Sequence, residues 1–195
     1  SALGGVVGLN RPIDRATATA ITATFIEAVV APGADDESRA VFATKKNLRL
    51  VLVDCVSVRR TEREVRSIIG AILVQEHDRA VEAISPWGPH SVGLGEDDFR
   101  VVTTRHPTEN EWVALRLAWR VCAHVKSNAI VFSTPDRLVA IGAGQMSRVD
   151  AVRVATMKAP MDLSGTVAAS DAFFPFPDNI ELAAAITGAR SEAEN

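Results

Sequence analysis

The chain has 195 residues, 47% of them hydrophobic and 23% charged, with 21 Lys and Arg against 24 Asp and Glu and a formal net charge of −3. This is a globular composition able to bury its own core, and its slight acidity argues against a general nucleic-acid binder, whose phosphate contacts need clustered, uncompensated Lys and Arg. Two cysteines cannot make a disulfide framework, no run approaches the ~18 apolar residues of a membrane span, and residues 1–10 lack a basic signal-peptide start, so a cytoplasmic protein without a membrane or nucleic-acid partner is expected.

Residues 14–31 read as an amphipathic helix, with Asp14 as N-cap and a stop at Ala31-Pro32-Gly33. Residues 48–53 are short, apolar and β-branched, the pattern of a strand buried on both faces, and 65–74 is a second such run interrupted by Gly70. The polar stretch 57–64 between them is the expected internal boundary, and its Arg59, Arg60, Arg63 and Arg66, interleaved with Glu62 and Glu64, read as a solvated face. Residues 85–98, rich in Pro, Gly and acid, are predicted loop, followed by a strand over 99–103.

Thr108-Glu109-Asn110-Glu111 is a capping box opening a helix to about Lys126, with Trp112, Leu115, Trp119 and Cys122 on one face. Residues 129–133 and 138–143 form a predicted hairpin across a Pro-Asp turn, a helix runs from about Ser147 to Met157, 167–169 is a short buried strand, and 178–186 is a last helix before a polar tail. Alternating strands and helices predict an α/β layered protein with a mixed sheet.

Three places could carry chemistry. Gly142-Ala-Gly144 lies between a strand end and a helix start, where free amides and the helix dipole can receive an anion and Arg148 adds a fork of donors; a glycine-lined turn with a surface Arg is the plainer reading and fits the pattern better. Asn128, between helix and strand, is either a left-handed cap or an amide facing a polar substrate. The segment 170–178 holds three Phe within four positions, two Pro and flanking Asp171 and Asp178; it is equally a core-anchoring loop or a rigid apolar wall for a planar heterocycle. The four His have no ligand spacing, no C-x-x-C exists, and no metal site is expected.

Several long words, in order, carry a resemblance: Ser1-Ala-Leu-Gly-Gly-Val-Val, Ala31-Pro-Gly, Lys45-Lys-Asn-Leu-Arg, Trp119-Arg-Val, His124-Val-Lys-Ser-Asn-Ala, Ile141-Gly-Ala-Gly-Gln-Met-Ser-Arg-Val-Asp150 and Ser170-Asp-Ala-Phe-Phe-Pro-Phe. Over nearly its whole length the chain resembles the transformylase region of the bifunctional AICAR transformylase/IMP cyclohydrolase family of purine biosynthesis. The resemblance implies cytidine-deaminase-like α/β/α layers in a tandem pair, with residues 1–60 ending the first copy and 61–195 making most of the second. It implies formyl transfer from 10-formyltetrahydrofolate, as cosubstrate, to the amine of AICAR, an aminoimidazole carboxamide ribotide, at sites formed between the subunits of a homodimer. By matching motifs, Leu3, Gly4, Glu27, Arg148, Phe173, Pro175 and Asp178 line the AICAR site, Asn128 orients the reacting groups, and the backbone near Val125 with Asp171 bounds a monovalent cation.

The family's Lys-His motif, whose His transfers the proton, lies upstream of the word at Ser1, so a second chain completing the site is expected; general acid–base catalysis is worth about 10²- to 10⁴-fold. Leu3 stands where the family has Phe, Pro177 where it has Arg, and the loop carrying Trp87 and His90 reads as an insertion. Two other functions fit the same residues: a stand-alone enzyme of specialised metabolism whose pocket uses the Trp87/His90 loop, and a non-catalytic dimerising half-domain.

Overall fold

Asp14 behaves as its position predicts: its carboxylate accepts the Thr17 amide at 2.8 Å and opens helix α1, Arg15–Thr22. The computed structural model describes residues 4–54, 63–76 and 101–188, and the chain falls into two compact units, 1–77 and 78–195. In the first unit, strand β1, Gly5–Gly8, precedes α1, and strand β2, Ile26–Ala31, helix α2, Asp36–Ala43, and strand β3, Arg49–Leu52, follow it. The helix predicted over 14–31 is therefore a helix and then a strand. Thr19 and Thr22 turn their hydroxyls back onto the carbonyls of Arg15 and Ala18, weakening the helix toward its end. Beyond it, Ile26, Val29 and Val30 are β-branched and favour extended backbone. Helix α2, not predicted, is announced only by its cap: the Asp35 carboxylate accepts the Ser38 amide at 2.7 Å.

The three strands form a parallel sheet with β2 in the centre, and Val7, Val29 and Leu50 stand in register. One face packs on α1 and α2 through Ala18, Val29, Ala31 and Phe42. The other face presents Val6 and Val51, the latter 44% exposed. Burial of 48–53 on both faces is thus corrected: α1 and α2 both lie on one side. The run 65–74 is likewise two strands, β4, Arg63–Ile68, and β5, Ala71–Glu76, paired antiparallel across a turn where Gly70 takes φ +75°, with its apolar side chains exposed. The expected boundary 57–64 lies, except for Arg63 and Glu64, outside the described residues.

The second unit follows its sequence more closely. The Thr108 hydroxyl accepts the Glu111 amide at 3.3 Å and the Glu111 carboxylate accepts the Thr108 amide at 2.7 Å, closing the capping box of helix α3, Glu109–Cys122. Arg105 pairs with the same carboxylate, and this contact, the Thr108 amide and the rest of the cap hold the Glu111 pKa down to about 2. The helix ends at Cys122, short of Lys126, and Trp112, Ala114, Ala118 and Cys122 are its buried residues; Trp119 is half-exposed. Strand β6, Ile130–Ser133, lies between β7, Leu138–Gly142, and β8, Val167–Ser170, antiparallel to both.

Alternation along β6 assigns its two faces. Ile130 and Phe132 pack on Ala151, Val152 and Ala155 of helix α4, Arg148–Lys158, with Leu182 and Ile186 of helix α5, Asp178–Thr187, against the same cluster. Ala129 and Val131 pack on Ala118 and Cys122 of α3, and the buried Ser133 hydroxyl donates to the Ala114 carbonyl at 2.8 Å. This unit is a helix–sheet–helix sandwich, and the chain as described is α/β, with parallel and antiparallel strands. Residues 101–103, the described part of the predicted strand 99–103, have no regular structure. The loop 85–98, with Trp87 and His90, and the tail from 189 lie outside the described residues, among which no helix is long and apolar enough to cross a membrane.

Candidate functional site

The register of the second sheet brings three separate words of the sequence to one edge. Ile130 faces Gly142 on β7 and Ser170 on β8. Ala129 and Asn128 before β6, the turn after β7, and the Phe-rich segment after β8 therefore emerge side by side. The 142–146 turn is fastened directly to the chain before β6: the Gly144 amide donates to the Lys126 carbonyl at 2.8 Å, and the Asn128 and Gln145 backbones exchange bonds of 3.2 and 3.3 Å. Those commitments correct the anion-cradle reading of Gly142-Ala-Gly144, since the Gly144 and Gln145 amides are already used. The glycines have local reasons: a Cβ on Gly142 would lie 1.8 Å from the Ala151 carbonyl oxygen of α4, and Gly144 takes φ +65°.

Asn128 is half-buried and its preceding peptide, Ser127–Asn128, is cis. Its Nδ2 donates to the carbonyls of Gln145 at 3.0 Å and Met146 at 3.2 Å. Two carbonyl partners fix the amide orientation, because the flipped form would set oxygen against oxygen. Asn128 is therefore no simple helix cap: its donors are spent on the turn, and Oδ1 is the atom left to accept a hydrogen bond.

Arg148, the first residue of α4, reaches across to β8. Its Nε donates to the Ser170 hydroxyl at 3.1 Å, and Nη2 stands 3.5 Å from Asp171 Oδ1, with only 14% and 9% of the two side chains exposed. The same carboxylate oxygen accepts the Ala129 amide at 2.9 Å. Burial raises the Asp171 pKa, but hydrogen bonds from Ser127 and Ala129 and the Arg148 charge outweigh it and hold the group below its ordinary value. Behind this pair, Cys122 of α3 has its thiol pKa pushed up to about 11, by burial first and then by the Asp171 charge, against the opposing effect of Arg148.

Of the three Phe, Phe174 packs on the core beside α4 while Phe173 is 78% exposed and Phe176 also faces outward, so the segment is both anchor and wall. Pro175 and Asp178 are exposed in the same loop and first turn of α5; the Asp178 carboxylate accepts the Asn179 backbone and side-chain amides, both at 2.8 Å. A cleft of about 570 Å³ opens between α3 and β8, walled by Leu115, Trp119, Ala168 and Phe173 and reaching Ser170 and Asp171.

The second unit thus brings together Asn128, Arg148 and Phe173, with Pro175 and Asp178 following on the same segment. Gly4 and Glu27 form their own pair in the first unit, where a Cβ on Gly4 would lie 3.1 Å from Glu27 Oε1. Leu3 lies outside the described residues. Of the cation donors that the resemblance implies, the backbone near Val125 and Asp171, the Asp171 carboxylate is already paired with Arg148 and bonded to Ser127 and Ala129. Among the described residues no group of three or more His, Cys, Asp or Glu converges. Ser170, and Asp171 as partner of Arg148, were not foreseen, because only the β6–β8 register places them there.

The arrangement offers a lone amide acceptor, a guanidinium held along one edge and an exposed aromatic face, all suited to a flat polar molecule. The sequence matches the family model described as the AICARFT/IMPCHase bienzyme over residues 1–158. It is 49% identical over 189 residues to the bifunctional purine biosynthesis protein PurH of Anaeromyxobacter sp. (strain K), covering 93% of this chain and 34% of that protein. It is 48% identical over 200 residues to the protein of the same name from Rhodospirillum rubrum, covering 97% of this chain and 36% of that one. The chain spans about a third of the length of these curated relatives. A family match across both units, including every described residue of the Asn128 and Arg148 network up to α4, leads to one conclusion: the chain belongs to the AICARFT/IMPCHase bienzyme family.

Proposed function

We propose that this chain carries transformylase chemistry of de novo purine biosynthesis, moving a formyl group from 10-formyltetrahydrofolate to the amine of an aminoimidazole carboxamide ribotide. The observation that carries this reading is the junction of Asn128, Arg148 and the Phe173 segment at one sheet edge, in a chain of this family. The amine nitrogen attacks the formyl carbon, the bond from that carbon to the folate nitrogen breaks, the amine gives up a proton and the folate nitrogen gains one. Asn128 Oδ1 accepts an amine N–H and aims the nitrogen's lone pair at the formyl carbon. Arg148 holds the carboxamide oxygen, and Phe173 covers a face of the planar ring.

No Lys in the sequence is followed by His. The Lys-His word to which the resemblance assigns proton transfer is thus not among these 195 residues. Gly4 and Glu27 of the first unit, neighbours of each other, are assigned to an AICAR site by the resemblance alone.

The test is formylated product measured with the chain and a partner bearing the Lys-His word. Asn128→Ala lowers kcat/KM about 10²-fold, the scale of losing one orienting contact. Calorimetry showing no AICAR binding, either to the chain alone or with that partner, would end the proposal.

A further inference from the structure

A hydroxyl carries one proton and two lone pairs, so a serine that both receives and gives a hydrogen bond is fixed in rotation and ties its two partners together. Ser170 is such a residue. Its Oγ accepts the Arg148 Nε proton at 3.1 Å and donates to the Ala172 carbonyl at 2.8 Å. It is the last residue of β8, opposite Ile130, and Ala172 is the residue immediately before Phe173. Arg148 is thereby held along one edge, Nε on Ser170 and Nη2 by Asp171, and among the described residues Nη1 has no protein partner.

We propose that Ser170 is a positioning residue that locks the Arg148 guanidinium to the start of the Phe173 segment, so that the cation and the aromatic wall are presented at one fixed spacing. A guanidinium has five donors, and using Nε inward leaves the Nη1 end aimed at a ligand. Without the Ser170 oxygen, Arg148 keeps only the 3.5 Å ion pair, and the side chain regains the rotamers that binding must then remove. In its ligand, this inference rests on the reading of the site as the AICAR site; in its mechanics it does not.

The experiment therefore has two arms, on the full chain together with whatever partner it carries. In the first, phenylglyoxal modification of Arg148 is followed by peptide mass spectrometry without substrate. Ser170→Ala raises the rate at Arg148 several-fold, Ser170→Thr restores it, and exposed Arg153 is unchanged in all. Equal Arg148 rates in wild type and Ser170→Ala overturn the inference whatever the substrate is.

In the second arm, AICAR affinity is measured in a cycle with Arg148→Ala. Ser170→Ala weakens binding about tenfold in the wild-type background, as expected for a lost bond to a charged group, and adds nothing when Arg148 is already absent. The same loss in both backgrounds overturns the positioning role. If wild type itself binds no AICAR, the functional reading fails and the first arm alone decides the inference. Where Ser170→Ala does not fold, Ser170→Cys, similar in volume with a weaker acceptor, replaces it in both arms.

Discussion

The two three-stranded sheets differ in what covers them. In the first unit, β1, β2 and β3 run parallel with α1 and α2 on one side, and Val6 and Val51 stand exposed on the other. In the second, β7, β6 and β8 run antiparallel with α3 on one face and α4 and α5 on the other. Parallel sheets are normally buried on both faces, whereas antiparallel ones tolerate water on one; here the two habits are exchanged. The doubly covered sheet is also the one whose strand ends hold a network of short polar contacts, because a site held to within a fraction of an ångström needs walls that cannot move.

The largest expected effect is at the tightest wall. Gly142→Ala would push a methyl to 1.8 Å from the Ala151 carbonyl oxygen, so β7 and α4 must part; the loss is about 3 kcal/mol or more by denaturant titration. Gly8→Ala in β1 meets nothing within 4 Å and changes stability by less than about 0.5 kcal/mol. Equal losses at the two glycines would remove the distinction between the sheets.

Next comes the largely hidden carboxylate of Asp171. Asp171→Asn uncouples Arg148 and costs about 2 kcal/mol at neutral pH, while Glu27→Gln, an exposed carboxylate in the first unit, stays within about 0.5 kcal/mol. Asp171 titrates below its ordinary 3.8 in the folded protein, so its contribution is complete above that pH and drains away as pH falls beneath it. The gap between wild type and Asp171→Asn closes in acid; a gap that persists there would mean the carboxylate's charge is not what stabilises.

How far the sequence alone reached follows the same division. Elements of the second unit carried local signals strong enough to stand without tertiary context: the Thr108 box, the β-branched runs at 130–133 and 138–142, and the serine cap before α4. In the first unit, helix and strand sit three residues apart with no glycine or proline between them, so α1 and β2 merged into one apparent helix, and α2 offered only Val41 and Phe42 as large apolar residues. At the candidate site, Asn128 and Arg148 were named through the family resemblance. Ser170 and Asp171 as their supports were not, since a strand register is fixed by pairing with residues 40 positions away in the chain, as Ile130 pairs with Ser170.

A smaller effect is expected at the α3 cap. Glu111→Gln removes the Arg105 contact and costs about 1 kcal/mol at pH 7. Folding lowers this pKa from 4.5 to about 2, so the difference from wild type is full above 4.5 and shrinks as pH falls through about 2. Thermal melts across that range read it directly; a difference that does not change with pH would assign the loss to shape rather than charge.

The smallest effect, at Val51, tests the bare face itself. Val29 and Val51 lie in neighbouring strands of the first sheet on opposite faces: Val29, paired with Leu50, is fully buried against the helices, whereas Val51, paired with Val30, is 44% exposed. Val→Thr exchanges a methyl for a hydroxyl of nearly equal volume, so the measured change is the cost of placing a polar group in each environment. Val29→Thr costs about 2 kcal/mol, because its hydroxyl reaches only apolar neighbours. Val51→Thr changes stability by less than about 0.5 kcal/mol if water wets that face as the described residues leave it. A cost at Val51 approaching that at Val29 would mean that the face is covered in solution, and the parallel sheet would then obey the usual rule. The contrast between the two units would shrink to one of strand direction, and the stiffness ascribed to the second sheet would have to come from its hydrogen-bonded edge rather than from its two layers of helices.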